Sequence, residues 1–347
     1  MPVVRGSISA VIVCYDEDPQ LLRAAIDGLR AQTRTPTEIL LVDNGPAGAL
    51  AAELDGYAPE LKVMLSGADL GYGRGVNIGA AQACGEYLLC LNPDAEPEPE
   101  CLARLAEVAD ADTGAALVGA QVLLEDGARR NAGDNPLHPT GISPSGGYGE
   151  PREAGAPREV AVVSGACCLM RREHFRRIGG FAETFFLYYE DVDLAWRARI
   201  AGFRVLYCPD AAVRHGYEFG GRQRKWFYLE RNRLVSVLAN YEARTLVLLA
   251  PLLLATELGL LLVAGVQGWL SDKLQSYRSL VSLRSTLAAH RRTVQSSRTR
   301  SDGDLMALFD DHIDSALIPA AGAALANAVC VPYMRLVRRL LRRSRQE

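Results

Sequence analysis

Over its first two thirds the chain alternates short apolar runs with polar turns, at the spacing of strands and helices. Ser7–Cys14 (SISAVIVC) is β-branched and closes on YDEDP, which predicts a buried strand. Pro19–Gln32 sets Leu22, Ala25, Ile26 and Leu29 at helical intervals behind Asp18, a candidate N-cap. Glu38–Asp43 (EILLVD), Leu61–Ser66, Tyr87–Leu91 and Ala115–Leu124 follow as strands, with helices over Asn77–Cys84 and Cys101–Ala109. Strands and helices in this alternation imply parallel β-α-β units and an α/β sheet. From Asp126 to Pro157 Gly, Pro, Asn and Ser dominate, and a loop of that length is functional or mobile. Order returns with Glu159–Ser164, GACCLMRREHFRRIGGF, a helix near Asp191–Ile200, a strand at Arg204–Tyr207 and a basic, aromatic helix over Arg222–Tyr241.

The pattern then changes. Leu246–Val266 is apolar almost throughout, interrupted by Pro251 and Glu257, and its roughly 21 residues suffice for a membrane-embedded or interfacial helix. A buried core helix is the plainer alternative. Arginines gather after it, from Arg278 to Arg300 and again from Arg335 to Arg345, although the net charge of the whole chain is only −3. A basic end of this kind suits an anionic lipid face or another phosphate-rich partner. The expected division is residues 1–241 and a helical, membrane-associated region over 242–347. Two domains also suit a chain of 347 residues. The eight cysteines include no C-x-x-C spacing and sit mostly among apolar neighbours, so reduced core thiols are expected rather than zinc or disulfides. Val3–Cys14 reads as a first strand and not as a secretory leader.

Ligands of open α/β sheets bind beyond the carboxyl ends of the strands. Three predicted strand ends carry polar residues: Tyr15-Asp16, Asp43-Asn44 and Asn92-Pro93-Asp94. In LLCLNPDAEP, Asp94 stands on a rigid turn after an apolar strand; it either caps the turn or holds a cation. The stretch ADLGYGRGVNIG (68–79) is rich in glycine but lies after the wrong strand for a dinucleotide fingerprint and lacks the Gly-Lys-Ser/Thr of a phosphate loop. Its glycines still imply close backbone approach, and Arg74 offers a cation to a phosphate. In YYEDVDLAWRARIAG, Glu190, Asp191 and Asp193 crowd the start of a helix, more acids than capping alone requires.

Taken in order, VDNG, GYGRGVNIG, LNPDA, SGACCLMRR, FLYYEDVDLAWR and VRHG resemble the inverting family 2 glycosyltransferases of GT-A fold over residues 7–235, in particular the bacterial rhamnosyltransferase-like branch of polysaccharide assembly. That resemblance implies a GT-A domain followed by a helical membrane-associated region. It implies Mg²⁺ or Mn²⁺ held by Asp94 and His215, with Asp191 as the base. Asp43 and Tyr15 would contact a pyrimidine nucleoside, and Gly71, Arg74, Asn77 and Asn92 would line the rest of the donor site. Asn92 departs from a strict D-x-D, while Asp69 and Asp16 replace residues common in the family. Arg197, Arg231 and Arg233 are read as solvated helix charges or phosphate contacts.

The expected reaction moves a sugar, rhamnose foremost, from a dTDP- or UDP-sugar to a polyprenyl-diphosphate-linked saccharide at the cytoplasmic face of the cell membrane. An anionic membrane surface is an expected partner and nucleic acid is not; a homo-oligomer is left open. Competing readings are a nicotinamide-dependent oxidoreductase, disfavoured by the missing fingerprint, and a non-catalytic membrane-associated scaffold.

Overall fold

The computed structural model describes residues 4–45, 54, 57–216, 224–312 and 320–343. The backbone divides into two units, one of residues 1–135, 145–198 and 203–221, the other of residues 136–144, 199–202 and 222–347.

The first unit is built on strand β1 (Val4–Cys14), flanked on both sides by parallel partners, β2 (Glu38–Asp43) and β4 (Gly85–Leu91), with β3 (Leu61–Leu65) outside β2. Ala10 to Cys14 and all of β2 are buried. This is the burial of a sheet covered on both faces, and it explains why these strands read as unbroken apolar runs. Helix α1 (Pro19–Arg30) begins as expected: the Asp18 side chain accepts a hydrogen bond from the Gln20 N–H, and Leu22, Ala25, Ile26 and Leu29 form the buried face. Helix α2 runs Tyr72–Gln82, starting earlier than the periodicity predicted, because Gly75 and Gly79 let it lie directly on Val13 and Val11 of β1.

The rest of the sheet departs from the parallel pattern. After the short β5 (Ala95–Pro97) come α3 (Cys101–Ala111), β6 (Ala115–Leu123), β7 (Arg130–Ala132), β8 (Asp134–Asn135), β9 (Arg158–Glu159), β10 (Val162–Val163) and β11 (Cys167–Arg171). The chain returns through residues 158–166 to insert β11 antiparallel between β4 and β6. Helices α4 (Arg172–Arg177) and α5 (Glu190–Ile200) precede β12 (Arg204–His215), which lies parallel to β6 and antiparallel to β5. The final order is β3-β2-β1-β4-β11-β6-β12-β5. β12 outruns its expected end at Tyr207, crossing an irregularity between Cys208 and Ala212 to reach His215. The predicted long loop is tied down by ion pairs: Arg158 binds Glu153 and Asp134 at 2.5 Å each, and Arg130 reaches Glu153 at 3.1 Å.

The described residues of the second unit are helical apart from turns: α6 (Lys225–Asn240), α7 (Ala243–Gln267), α8 (Leu270–Ser282), α9 (Arg284–Ser296), α10 (Asp302–Leu305) and α11 (Ala320–Arg343). The division expected near Tyr241 falls elsewhere, because α6 packs on α8 and α9 and so belongs to this unit. Helix α7 contains the predicted apolar segment. Only 11% of its most apolar stretch is buried, so the core-helix alternative does not describe it.

Candidate active site

The polar strand ends meet at one edge of the sheet. Asp43, at the end of β2, is buried, and its Oδ1 accepts from the Gly45 N–H at 2.7 Å. Asn44 donates its backbone N–H to the Cys14 carbonyl at 2.8 Å and its side-chain N–H to the Gly71 carbonyl at 3.1 Å. The first two strand ends and the glycine-rich turn are thereby joined, with the exposed ring of Tyr15 beside them in sequence. Gly71 has φ +79°, and a Cβ there would sit 2.1 Å from the Phe186 carbonyl oxygen. Only glycine fits a left-handed residue against a neighbouring backbone. Arg74 is half exposed and lies 3.8 Å from the Glu183 carboxylate.

Asn77 has a different role from the donor contact expected of it. Its amide donates to the Phe181 carbonyl at 2.8 Å, and its oxygen accepts from the Phe181 N–H at 3.0 Å. Such a two-way bond to one residue's backbone braces the segment that leads to the acidic helix.

The turn after β4 presents Asp94 toward β12. Antiparallel pairing of β5 with β12 sets His215 opposite Ala95, the residue after Asp94. The Nε2 of His215 lies 3.0 Å from Asp94 Oδ1 and 3.3 Å from the Asn92 side-chain nitrogen. His215 is buried and Asp94 partly exposed. One carboxylate and one imidazole at this separation suit a divalent ion, which can take the place of the shared proton. Among the described residues no group of three or more His, Cys, Asp or Glu side chains is placed to hold a metal. Any ion here would therefore take its remaining ligands from substrate oxygens and water, as Mg²⁺ commonly does.

Asp191 stands at the start of α5. Its Oδ2 accepts from the Gly165 N–H at 3.0 Å and its Oδ1 from the Val192 N–H at 2.8 Å. Burial pushes its carboxyl above the usual aspartate range, against the pull of the Gly165 and Val192 amides. The Tyr72 hydroxyl donates to the Gly165 carbonyl at 3.0 Å, and the Asn92 N–H to the Ala166 carbonyl at 2.9 Å. The turn at Gly165-Ala166 thus links Asp191 to the strand end that carries Asp94.

Sequence reading missed several parts of this arrangement. Gly165 is the donor to Asp191, yet only the SGA of SGACCLMRR hinted at it. Tyr188 and Tyr189 both take positive φ, 65° and 67°, immediately before Glu190. Two consecutive tyrosines held left-handed cost free energy that the surroundings must repay, and such strain concentrates at functional sites. The arginines read as solvated helix charges or phosphate contacts are not solvated: Arg197 is buried and bonds Asp193 at 2.6 Å and the Ile178 and Gly180 carbonyls, while Arg231 and Arg233 are buried on α6.

Comparison with known proteins bears on the family and the fold. The family model for glycosyl transferase family 2 matches residues 9–179, and that for glycosyl transferase family group 2 matches residues 146–290. An N-acetylglucosaminyl-diphospho-decaprenol L-rhamnosyltransferase of Mycobacterium tuberculosis strain H37Rv is 32% identical over 234 residues, which cover 60% of this chain and 75% of that protein. The O-antigen biosynthesis protein RfbC of Myxococcus xanthus is 34% identical over 225 residues, 61% of this chain but 18% of the relative. In structure the chain is similar to GalNAc-T7 solved with UDP, GalNAc and Mn²⁺ (TM-score 0.57, 19% identity, 69% of this chain and 48% of that one). It is also similar to the mannosyltransferase PcManGT of Pyrobaculum calidifontis solved with GDP-Man and Mn²⁺ (TM-score 0.50, 16% identity, 86% and 88%). The fold is GT-A-like, and the family models and sequence relatives place the chain among enzymes that transfer glycosyl groups. The chain belongs to glycosyltransferase family 2, where it resembles the rhamnosyltransferases.

Proposed function

We propose that the protein is a divalent-metal-dependent, inverting transferase that moves a sugar, rhamnose foremost, from a pyrimidine nucleotide-diphosphate donor to a polyprenyl-diphosphate-linked saccharide. The work is done at the cytoplasmic face of the membrane, in cell-envelope polysaccharide synthesis. The observation that carries this reading is the Asp94–His215 pair, 3.0 Å apart at the end of the sheet where the nucleotide half opens. Mg²⁺ or Mn²⁺, when bound there, supplies the positive charge that steadies the departing diphosphate. Asp43, Asn44 and the Gly71 turn shape the place for the nucleoside, and Arg74 is set to answer a phosphate. Asp191 takes the proton of the attacking hydroxyl; its raised affinity for protons suits a general base. A single base that deprotonates the acceptor hydroxyl as it attacks the anomeric carbon and the nucleoside diphosphate departs, without an enzyme nucleophile, gives direct displacement and inverted anomeric configuration. The lipid-linked acceptor is supported by the name of the mycobacterial relative and by the exposed apolar helix α7.

The test is a panel of dTDP-, UDP- and GDP-sugars scored by thermal stabilisation with and without Mn²⁺, followed by transfer to an N-acetylglucosaminyl-diphospho-polyprenol. Metal-dependent stabilisation by one pyrimidine donor, and a product with inverted anomeric signal by NMR, is the expected result. Stabilisation that ignores metal, or selective binding of a nicotinamide cofactor, would overturn the reading.

A further inference from the structure

Helix α7 carries one charge in its apolar length, and that charge is not alone. The Glu257 carboxylate accepts from Lys273 Nζ at 2.7 Å, from the Tyr277 hydroxyl at 2.6 Å and from the Arg233 guanidinium. Arg233 also binds Glu230 at 2.8 Å and the Thr140 carbonyl at 3.0 Å, and Lys273 closes the ring on Glu230. Two carboxylates face two cations, and Lys273 and Arg233 are almost completely buried. The charges balance: Glu230 and Arg233 come from within one turn of α6, Glu257 from α7 and Lys273 from α8.

This ring constrains where α7 can go. Glu257 lies only about 3 Å along the axis from the helix centre. Were α7 to cross a bilayer, the whole ring would sit near the midplane, dragging the polar faces of α6 and α8 with it. Those helices, at about 24 Å and 20 Å, are too short to span roughly 30 Å of hydrocarbon. Ionised groups at that depth are costly, and α6 and α8 would expose polar side chains to lipid.

The opposite face of α7 has no such tie. Val247, Leu254, Leu258, Leu262 and Val266 are exposed and recur on one side of the helix, while Thr245, Leu249, Leu252 and Ala264 are buried on the other. Helix α11 runs antiparallel beside the start of α7, its Tyr333 hydroxyl on the Leu248 carbonyl at 2.7 Å and its Leu340 carbonyl on Arg244 at 3.1 Å. It adds exposed Val329 and Leu336 together with exposed Arg335, Arg339 and Arg342. An apolar stripe with cations beside one of its ends matches the interface of an anionic bilayer, acyl chains below and phosphates around.

We propose that α7 lies in the plane of an anionic membrane, its Val247–Leu254–Leu258–Leu262–Val266 stripe sunk into the acyl boundary, and that the Glu230–Arg233–Glu257–Lys273 ring keeps it from crossing. This deepens the membrane part of the reading above and is independent of the transfer chemistry. The full-length protein is floated with vesicles of phosphatidylcholine alone or mixed with phosphatidylglycerol. Transfer to a water-soluble acceptor analogue is measured in parallel. Flotation on the anionic vesicles is expected, falling about tenfold or more in the Leu258→Asp/Leu262→Asp variant while transfer to the soluble analogue persists. Arg244→Cys and Gln267→Cys, each in a Cys84→Ser background because the other cysteines are buried, should both react with an impermeant maleimide added outside sealed vesicles. Protection of one end until detergent is added would show a crossing helix and overturn the proposal. So would flotation unchanged by the double substitution, or a stable dimer broken by it in a protein that does not float.

Discussion

His215 and Asp94 are 121 residues apart in sequence and 3.0 Å apart in space, because β5 turns back on β12 immediately after Asp94. The imidazole is buried and the carboxylate is partly exposed. The Asn92 side-chain amide lies 3.3 Å from the same imidazole nitrogen. A short antiparallel strand thus brings a turn and a strand end together.

Replacement of either residue should weaken the metal more than the fold. Asp94→Asn and His215→Gln are near-isosteric, so each is expected to leave the melting temperature without ligand nearly unchanged. Each should cut Mn²⁺ affinity at least about tenfold, since even an outer partner of a ligand is worth that much. Titration of Mn²⁺ in the presence of the nucleoside diphosphate, followed by calorimetry, checks it. Unchanged affinity in both variants would remove the pair from the metal site.

Asp191→Asn should reduce transfer about 10²–10⁴-fold while donor affinity stays within a few-fold. Burial raises the proton affinity of this carboxyl, and the base must be ionised to work. The acidic limb of kcat is therefore expected at higher pH than an ordinary aspartate would give, with activity lost as pH falls through that raised pKa. A pH profile of kcat for the wild type, set beside donor affinity for the variant, tests both halves. Equal loss of binding and transfer would point to Asp191 as a donor-site scaffold.

How far the sequence foretold this is plain at particular residues. Motif order singled out Asp94, Asp191 and His215, and β1, β2 and β4 were marked by the apolar runs that a doubly covered sheet produces, whereas β3 is half exposed. The antiparallel entry of β11 did not, because alternation of strands and helices says nothing of the direction from which a chain re-enters a sheet. Asn77 was expected at the ligand because it stands in the glycine motif, yet its partner, the Phe181 backbone, lies 104 residues on. The placement of α6 in the helical unit was hidden for the same reason. Its buried Glu230 and Arg233 look like surface charges until their partners on α7 and α8 are known.

Gly71→Ala should be felt in both stability and donor binding. The residue needs φ +79°, and an added Cβ would meet the Phe186 carbonyl at 2.1 Å. The backbone must shift, which separates the turn from Asn44 and from the segment before Asp191. A loss of about 2 kcal/mol or more is expected, with weaker nucleotide binding. Urea melts and a nucleoside-diphosphate titration measure the two effects; a variant as stable as the wild type would show that the turn relaxes freely.

Glu38, at the start of β2, predicts an acid-labile step. Burial alone would raise its pKa, but hydrogen bonds from Cys84, Lys62 and Ser9 outweigh that and hold it at about 2. Lys62 lies at 2.5 Å and the Ser9 hydroxyl at 2.7 Å. For an acid whose pKa is depressed by folding, the stabilisation is complete above the unfolded value near 4.5 and is lost as pH falls toward 2. The contribution is on the order of 1–3 kcal/mol at neutral pH, because Lys62 is more than half exposed and solvent screens its charge. Glu38→Gln should flatten the stability–pH curve between those limits and lower the neutral plateau. A curve parallel to the wild type's would mean that another carboxylate governs acid unfolding.

The ring in the helical unit makes a prediction about coupling. Lys273→Met leaves Glu230 and Glu257 facing each other with one cation between them, and removing one partner of a buried pair typically costs about 3–5 kcal/mol. Adding Glu257→Leu removes the surplus carboxylate, so the double variant should recover a large part of that loss, because a balanced or apolar set costs less than an unpaired charge. Trp226 and Trp269 stack at 4.7 Å between ring centres within this unit, so in a Trp196→Phe background, which removes the tryptophan of the other unit, their fluorescence follows its unfolding. Chemical melts of the wild type, both single variants and the double variant complete the cycle. Simple additivity of the two losses would mean that Lys273 and Glu257 do not act on one another, and that α7 is held to its neighbours by packing alone.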